Sequence, residues 1–134
     1  KYEYVIADTA GRDSRELRTG MTVADVLISP ARPSQYDLDT LPHLAEVYSQ
    51  AKDLNPKLAG YLVLNLCPTN PVIKEVAAAQ EFLADYPEFK LANTLVYDRK
   101  AYRDAISEGK SVLEWTDAKA KHEIEALVGE IING

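Results

Sequence analysis

Leu58-Ala59-Gly60-Tyr61-Leu62-Val63-Leu64-Asn65-Leu66 is the stretch that decides how this chain folds. A strand with one wet face alternates apolar and polar residues, whereas this one is apolar at odd and even positions alike, with Asn65 its single polar interruption. Such a strand must be covered on both faces, which is the situation of an inner strand in a parallel sheet flanked by helices.

The neighbouring segments supply those helices. Upstream, from about Asp39 to Leu54, apolar residues recur at Leu41, Leu44, Ala45, Val47, Tyr48, Ala51 and Leu54, and Pro42 falls in the first turn, where a helix tolerates it. Downstream, Asn70-Pro71 reads as a cap and first helical residue, with Ile73, Val76, Ala77, Gln80, Leu83 and Ala84 as the inward stripe. Leu91 to Tyr97 reads as another strand. Asp98 is placed to cap a helix carrying Ala101, Tyr102, Ala105 and Ile106, which Gly109 stops. A last helix starts near Thr116 or Asp117 and buries Ala120, Ile124, Leu127, Val128 and Ile131. Toward the N-terminus, Val26-Leu27-Ile28-Ser29 reads as a buried strand, after which Pro30, Pro33 and Ser34 break regular structure. Residues 12 to 22, with Leu17 and Met21 their only apolar pair, suit a short, poorly buried helix or an ordered loop. Tyr2-Glu3-Tyr4-Val5-Ile6-Ala7 is β-branched and aromatic, ends in Asp8, and runs into Thr9-Ala10-Gly11, so it reads as a strand with a loop at its carboxyl end. Strands alternating with helices call for an α/β fold, a parallel sheet with right-handed crossovers.

The chain has 134 residues and is 46% hydrophobic, enough for one unit, residues 1–134, with a core that needs no disulfide or metal. One cysteine, Cys67, excludes an internal disulfide framework. No apolar run approaches the roughly 20 residues that cross a bilayer. The net charge of −6 opposes a surface basic overall, while leaving room for a local Lys and Arg patch against phosphates. Residue 1 is Lys1, not Met, and the chain is read as entering almost directly into a strand.

In an open parallel sheet, ligands bind beyond the carboxyl ends of the strands. The candidates are therefore Asp8 to Gly11, Pro30 to Asp37, Asn65 to Asn70 and Tyr97 to Arg99. A carboxylate at Asp8 suits a hydrated Mg²⁺, which usually keeps several waters and one or two carboxylates; a capping or loop aspartate is the other reading. Asn65 carries an amide able to read a base edge as donor and acceptor together, or to bond backbone in the following turn. Cys67 lacks a nearby histidine, and His43 and His122 fall in predicted helices, so neither a Cys-His nucleophile nor a zinc site is expected. No glycine-rich phosphate loop of either common pattern occurs.

Together these pieces resemble the C-terminal two-thirds of the ParA family, the deviant Walker ATPases that segregate plasmids and chromosomes and include MinD-type relatives; small partition proteins of the ParF kind look closest. Tyr2 to Gly11 is similar to the Walker B strand and its switch loop. Val26-Leu27-Ile28-Ser29-Pro30-Ala31-Arg32-Pro33-Ser34-Gln35-Tyr36-Asp37 is similar to the next strand with its Pro-x-x-Pro-Ser-x-x-Asp continuation. Val96 to Tyr102, Gly109-Lys110-Ser111-Val112-Leu113-Glu114 and the closing helix follow the family's late elements in order. The resemblance implies that Asp8 is the catalytic and Mg²⁺-holding carboxylate, that Thr9, Ala10 and Gly11 lie near the γ-phosphate of ATP, and that Asn65, Tyr97 and Asp98 lie near the adenine. The Pro33 to Asp37 loop would border the nucleotide and the dimer face, and Arg99, Lys100 and Arg103 would face DNA. It further implies a cytoplasmic, nucleoid-associated homodimer that binds non-specific DNA with ATP and answers to a centromere-binding partition protein.

One departure matters: the lysine-rich Walker A loop that precedes this region in the family is absent, with the helix and strand that follow it. Backbone N–H groups and lysines of such a loop neutralise the charge developing in phosphoryl transfer. The chain alone is therefore expected to be inactive, with apolar sheet edges left open where a central strand is missing. The reading is the C-terminal part of a ParA-type ATPase domain, a naturally shortened relative being the alternative. Two other functions compete: a non-catalytic α/β interaction module, and a related ATPase that positions another cargo. A membrane role of the MinD kind is disfavoured by the few basic residues in the final turns before Gly134.

Overall fold

A computed structural model describes residues 1–10, 13–34 and 38–134. The elements are α1 (Arg15–Met21), β1 (Val26–Ala31), α2 (Leu41–Leu54), β2 (Ala59–Leu64), α3 (Glu75–Leu83), β3 (Lys90–Leu91), α4 (Lys100–Ser107), a 3₁₀ turn (Val112–Glu114) and α5 (Ala118–Asn133). The α/β expectation holds: β1, β2 and β3 form a parallel sheet in that order, with β2 in the middle. Val26 pairs Ala59 through to Ala31 with Leu64, and Tyr61 pairs Lys90.

Both faces of β2 are covered, as its composition requires. On one face Leu62 and Leu64 join a core with Val47, Tyr48 and Ala51 of α2 and Ala79 and Leu83 of α3. Both crossover helices thus lie on the same side of the sheet, the outcome right-handed crossovers impose on a sheet that grows in one direction. On the other face Val63 packs with Ala92 and Val96 against Tyr102 of α4 and Leu127 of α5. Gly60 is a point of close approach: a Cβ there would lie 2.8 Å from both the Phe89 and Tyr48 rings, which are themselves buried with centroids 4.6 Å apart. Filling that space would overpack the core at a cost of about 1–3 kcal/mol. Asn55, just past α2, ties the α1 to β1 turn by donating to the carbonyls of Met21 (2.9 Å) and Ala24 (2.8 Å).

Several expectations are corrected. Tyr2 to Ala7 forms no strand: Tyr2, Tyr4, Val5 and Ile6 are exposed. Strand propensity is realised only in a ladder, and these residues pair with no described strand. Pro30 does not end β1. Ala59 N–H donates to the Asp25 carbonyl and Asn65 N–H to the Ala31 carbonyl, so odd-numbered residues of β1 face β2 and even-numbered ones face away. Proline's missing N–H therefore falls on the side that β2 does not use. As an edge strand β1 leaves the side chains of Val26 37% and Ile28 47% exposed. The strand expected over Leu91 to Tyr97 shrinks to Lys90–Leu91 plus one bridge, Cys67 to Tyr97. Asn70 and Pro71 open a turn, with Asn70 Oδ1 accepting from Val72 N–H (3.0 Å) and the Asn70 carbonyl from Ile73 N–H, and α3 starts only at Glu75. Its inward positions are Val76, Ala79 and Leu83, while Ile73, Ala77, Gln80 and Ala84 are exposed. Leu54 and Val128 also turn outward.

Other expectations stand. Residues 15 to 21 form the short, poorly buried helix, with Met21 alone buried; its cap, Ser14 accepting from Leu17 N–H, is an addition of the structure. Asp117 caps α5 through Lys119 and Ala120 N–H, and Gly109 follows α4 at φ +66°, where a side chain is strained. Cys67 is fully buried, and burial together with the Glu123 charge pushes its thiol up to about 11, in keeping with a packing role. No helix among the described residues is long and apolar enough to cross a membrane.

Candidate functional site

Beyond the carboxyl end of β2 the chain makes an irregular step. Val96 N–H donates to the Leu64 carbonyl, and the Val96 carbonyl accepts from Cys67 N–H (3.0 Å). In an unbroken parallel ladder that second donor would be residue 66. Leu66 is thus an extra residue, a bulge, and it sits at φ +54°. A left-handed backbone at a residue other than glycine costs of order 1–3 kcal/mol and persists where flanking structure enforces it. Here the enforcement is visible: Asn65 N–H is held by the Ala31 carbonyl (2.9 Å), and the Cys67 carbonyl accepts from Asp98 N–H (2.9 Å).

Two cavities adjoin the bulge, and Leu66 borders both. The larger, about 370 Å³, has Ile28, Val63, Val96, Ile124 and Leu127 in its apolar lining and Asn65, Tyr97, Asp98, Arg99, Tyr102 and Arg103 as its polar residues. The smaller, about 220 Å³, is lined by Pro30, Ala31, Arg32, Asn65 and Leu66. The structure therefore brings Asn65, Tyr97 and Asp98, chosen from the sequence, to one cavity. It does not bring Asp8, Thr9 and Ala10 there: they belong to the N-terminal segment and line neither cavity. Gly11 and Gln35 to Asp37 lie outside the described residues. Among the described residues no three His, Cys, Asp or Glu side chains gather as a metal cluster.

Charge around the larger cavity is organised by a residue the sequence reading missed. Glu123, 9% exposed on α5, accepts from Arg99 Nε (2.7 Å) and from the Tyr102 hydroxyl (2.8 Å), and Arg99 Nη2 lies 2.6 Å from the same carboxylate. Arg99 also stacks over the Tyr97 ring at 5.2 Å. The hydrogen bond to Glu123 holds the Arg99 guanidinium above its usual range, and burial followed by Glu123 pushes the Tyr102 phenol up. A carboxylate at inward spacing between Ala120 and Leu127 was the available signal. Asp98 does not cap α4, whose N-cap is Arg99 with no side-chain cap bond; it accepts instead from Arg103 (2.7 Å). With Lys100 lying 3.4 Å from Asp104, each of the three basic residues read as DNA-facing is paired with a carboxylate.

What the arrangement can do follows from its chemistry. An apolar slot edged by an amide, an aromatic ring and a guanidinium suits a flat heteroaromatic ring with hydrogen-bonding edges, so the residues present fit the base of a nucleotide. The described residues do not assemble a phosphate or Mg²⁺ end: Asp8 is exposed on a separate segment.

No family model matches the chain. It is 30% identical over 115 residues to the Maintenance of carboxysome distribution protein A of Halothiobacillus neapolitanus, an alignment covering 84% of this chain and 51% of that protein. It is 32% identical over 63 residues to a ParA family protein of Mycoplasma pneumoniae, covering 47% of this chain and 23% of that one. The chain thus spans about half the length, or less, of the curated relatives it matches. Added to a parallel sheet whose carboxyl ends carry the cavities, these two likenesses support a ParA-like family for the chain.

Proposed function

We propose that this chain is the base-binding and switch-bearing part of a ParA-type ATPase that positions a cargo inside the cell. The observation that carries the reading is the meeting of Asn65, Tyr97 and Asp98 around one cavity at the carboxyl ends of a parallel sheet. In this reading Asn65 bonds the base edge, and the Tyr97 to Arg99 turn forms one wall. Asp8, with Thr9, Ala10 and Gly11, serves the Mg²⁺ and phosphate end once a phosphate-binding loop of the complete protein lies beside it. ATP bound between two subunits makes the dimer, and its hydrolysis, prompted by a partner, releases it. The cargo is DNA if the chain acts in plasmid or chromosome partition with a centromere-binding protein. It is a protein assembly if the chain works as its carboxysome-distribution relative is named for.

The test is binding of a fluorescent ATP analogue, with Mg²⁺, to the complete protein. Saturable binding is expected, weakened about tenfold in Asn65→Ala, since one or two lost hydrogen bonds at a partly buried site are worth about 1–2 kcal/mol. Asp8→Ala is expected to abolish turnover while sparing the fold. Absence of nucleotide binding would overturn the reading. The position of β1 at the edge of the sheet, with Val26 and Ile28 partly exposed, favours the second reading in that event: an interaction module that pairs with a partner strand and needs no nucleotide.

A further inference from the structure

We propose that Leu66 is the specificity-determining residue of the cavity pair: the one-residue bulge keeps an aliphatic side chain at the seam of the two cavities, separating a compartment for a flat apolar ring from one for a polar substituent. The inference deepens the nucleotide reading and rests on it for the identity of the ring.

Three observations converge on this residue. First, its backbone sits at φ +54°, a conformation glycine adopts without penalty and asparagine or aspartate eases with a local side-chain hydrogen bond. Leucine can do neither. Second, the side chain is not needed by the core, for Leu66 is 38% exposed while its neighbours Leu64 and Cys67 are fully buried. Third, Leu66 borders the smaller and the larger cavity together, in company with Pro30 and Asn65. A side chain that strains its own backbone without filling the interior, and that edges two cavities, has its use in what enters them. The larger cavity, walled by Val63, Val96 and Leu127, takes the ring; the smaller, with Arg32 and the Asn65 side chain among its lining residues, takes the polar part. Leu66 touches the ligand where ring and polar part join, and so favours rings of one shape over another.

The complete protein, with Leu66→Gly and Leu66→Ala, tests this by titration with ATP and with CTP in the presence of Mg²⁺, alongside thermal melting. Leu66→Gly relieves the backbone, so its melting temperature should equal or exceed that of the wild type. Its ATP affinity should nevertheless fall at least tenfold, and the ratio of ATP to CTP affinity should move toward one. Leu66→Ala should lose affinity in the same way without gaining stability, and Leu66→Met should restore it. An unchanged ATP affinity and ratio in a stably folded Leu66→Gly would overturn the proposal and leave the nucleotide reading standing. If the wild type binds no nucleotide, the nucleotide reading fails by itself, and anilinonaphthalene sulfonate, a flat apolar anion, becomes the probe. Loss of its fluorescence in Leu66→Gly then supports the role of Leu66, and an equal signal, or no signal with either protein, overturns it.

Discussion

A carboxylate on the inward side of a helix is tolerable only if its partners reach it, and Glu123 shows how closely that condition is met. Its two oxygens take the Arg99 guanidinium and the Tyr102 hydroxyl, while Arg99 in turn covers the Tyr97 ring. Removing one member of such a pair leaves the other charge stranded in a place water reaches poorly, so the penalty is that of an unpaired ion rather than of one hydrogen bond. Fully buried pairs lose 3–5 kcal/mol in this way. With the Arg99 and Glu123 side chains 22% and 11% exposed, water screens the stranded charge in part, and Glu123→Ala is expected to cost about 2–3 kcal/mol in chemical denaturation, less than a fully buried pair. Glu123→Gln, which keeps one acceptor, should cost less. Equal stability of Glu123→Ala and wild type would mean that the network contributes nothing. This residue also marks the limit of sequence reading at the site. Asn65, Tyr97 and Asp98 could be chosen because strand ends announce themselves, but Glu123 acquires its meaning from an arginine 24 positions away. Leu66 likewise fell within the Asn65 to Asn70 span only as one more apolar residue, since the bulge is set by where residues 96 to 98 pair and not by anything local.

At the scale of elements, periodicity located what packing alone governs, and failed where a turn or a neighbouring strand intervenes. α2 and α5 were legible because their apolar residues recur at the helical period, β2 because it is apolar at odd and even positions alike, and the start of α5 fell where the Asp117 carboxylate meets two backbone N–H groups. Tyr2 to Ala7 has strand composition but pairs with no described strand, and Asn70-Pro71 closes a local turn before a helix can begin. The joint between α5 and the loop after β3 was invisible for the same reason as Glu123: it is made by one side chain across a long separation. Glu130 accepts from Asn93 N–H (2.5 Å), Thr94 N–H (3.0 Å) and the Thr94 hydroxyl (2.8 Å). Burial would raise this carboxyl, but the three donors outweigh it and hold it below its ordinary 4.5. Since the folded value lies below the unfolded one, the stabilisation is complete above about pH 4.5 and is lost as pH falls through the lower folded value. Glu130→Ala should therefore lower the melting temperature at pH 7, by the equivalent of about 1–2 kcal/mol. The gap between variant and wild type should narrow in acid. A gap constant from pH 7 to pH 3 would show that packing, not the carboxylate, carries the joint.

For the whole molecule the question is whether an acidic chain can hold DNA. The formal charge is −6, from 21 acidic and 15 basic residues, so any attraction to phosphates must come from a patch rather than from the average field. Arg99 cannot lead such a patch, because it is committed to Glu123 and 22% exposed at its side chain. Lys100 and Arg103 are different: their side chains are 82% and 65% exposed, and their pairs with Asp104 and Asp98 lie at the surface, where an ion pair is worth about 0–1 kcal/mol. Pairs that weak can be exchanged for phosphate contacts, each releasing condensed counterions. If the complete protein binds DNA through α4, reversing both charges, Lys100→Glu with Arg103→Glu, removes two phosphate contacts and leaves Asp98 and Asp104 to repel the backbone. The slope of log affinity against log salt should then shrink by about 2, since each contact contributes about 0.9, with the loss uniform across DNA sequences. Titrations at several salt concentrations measure it directly. An unchanged slope would exclude this face of the molecule from DNA binding and leave the α4 pairs a purely structural role.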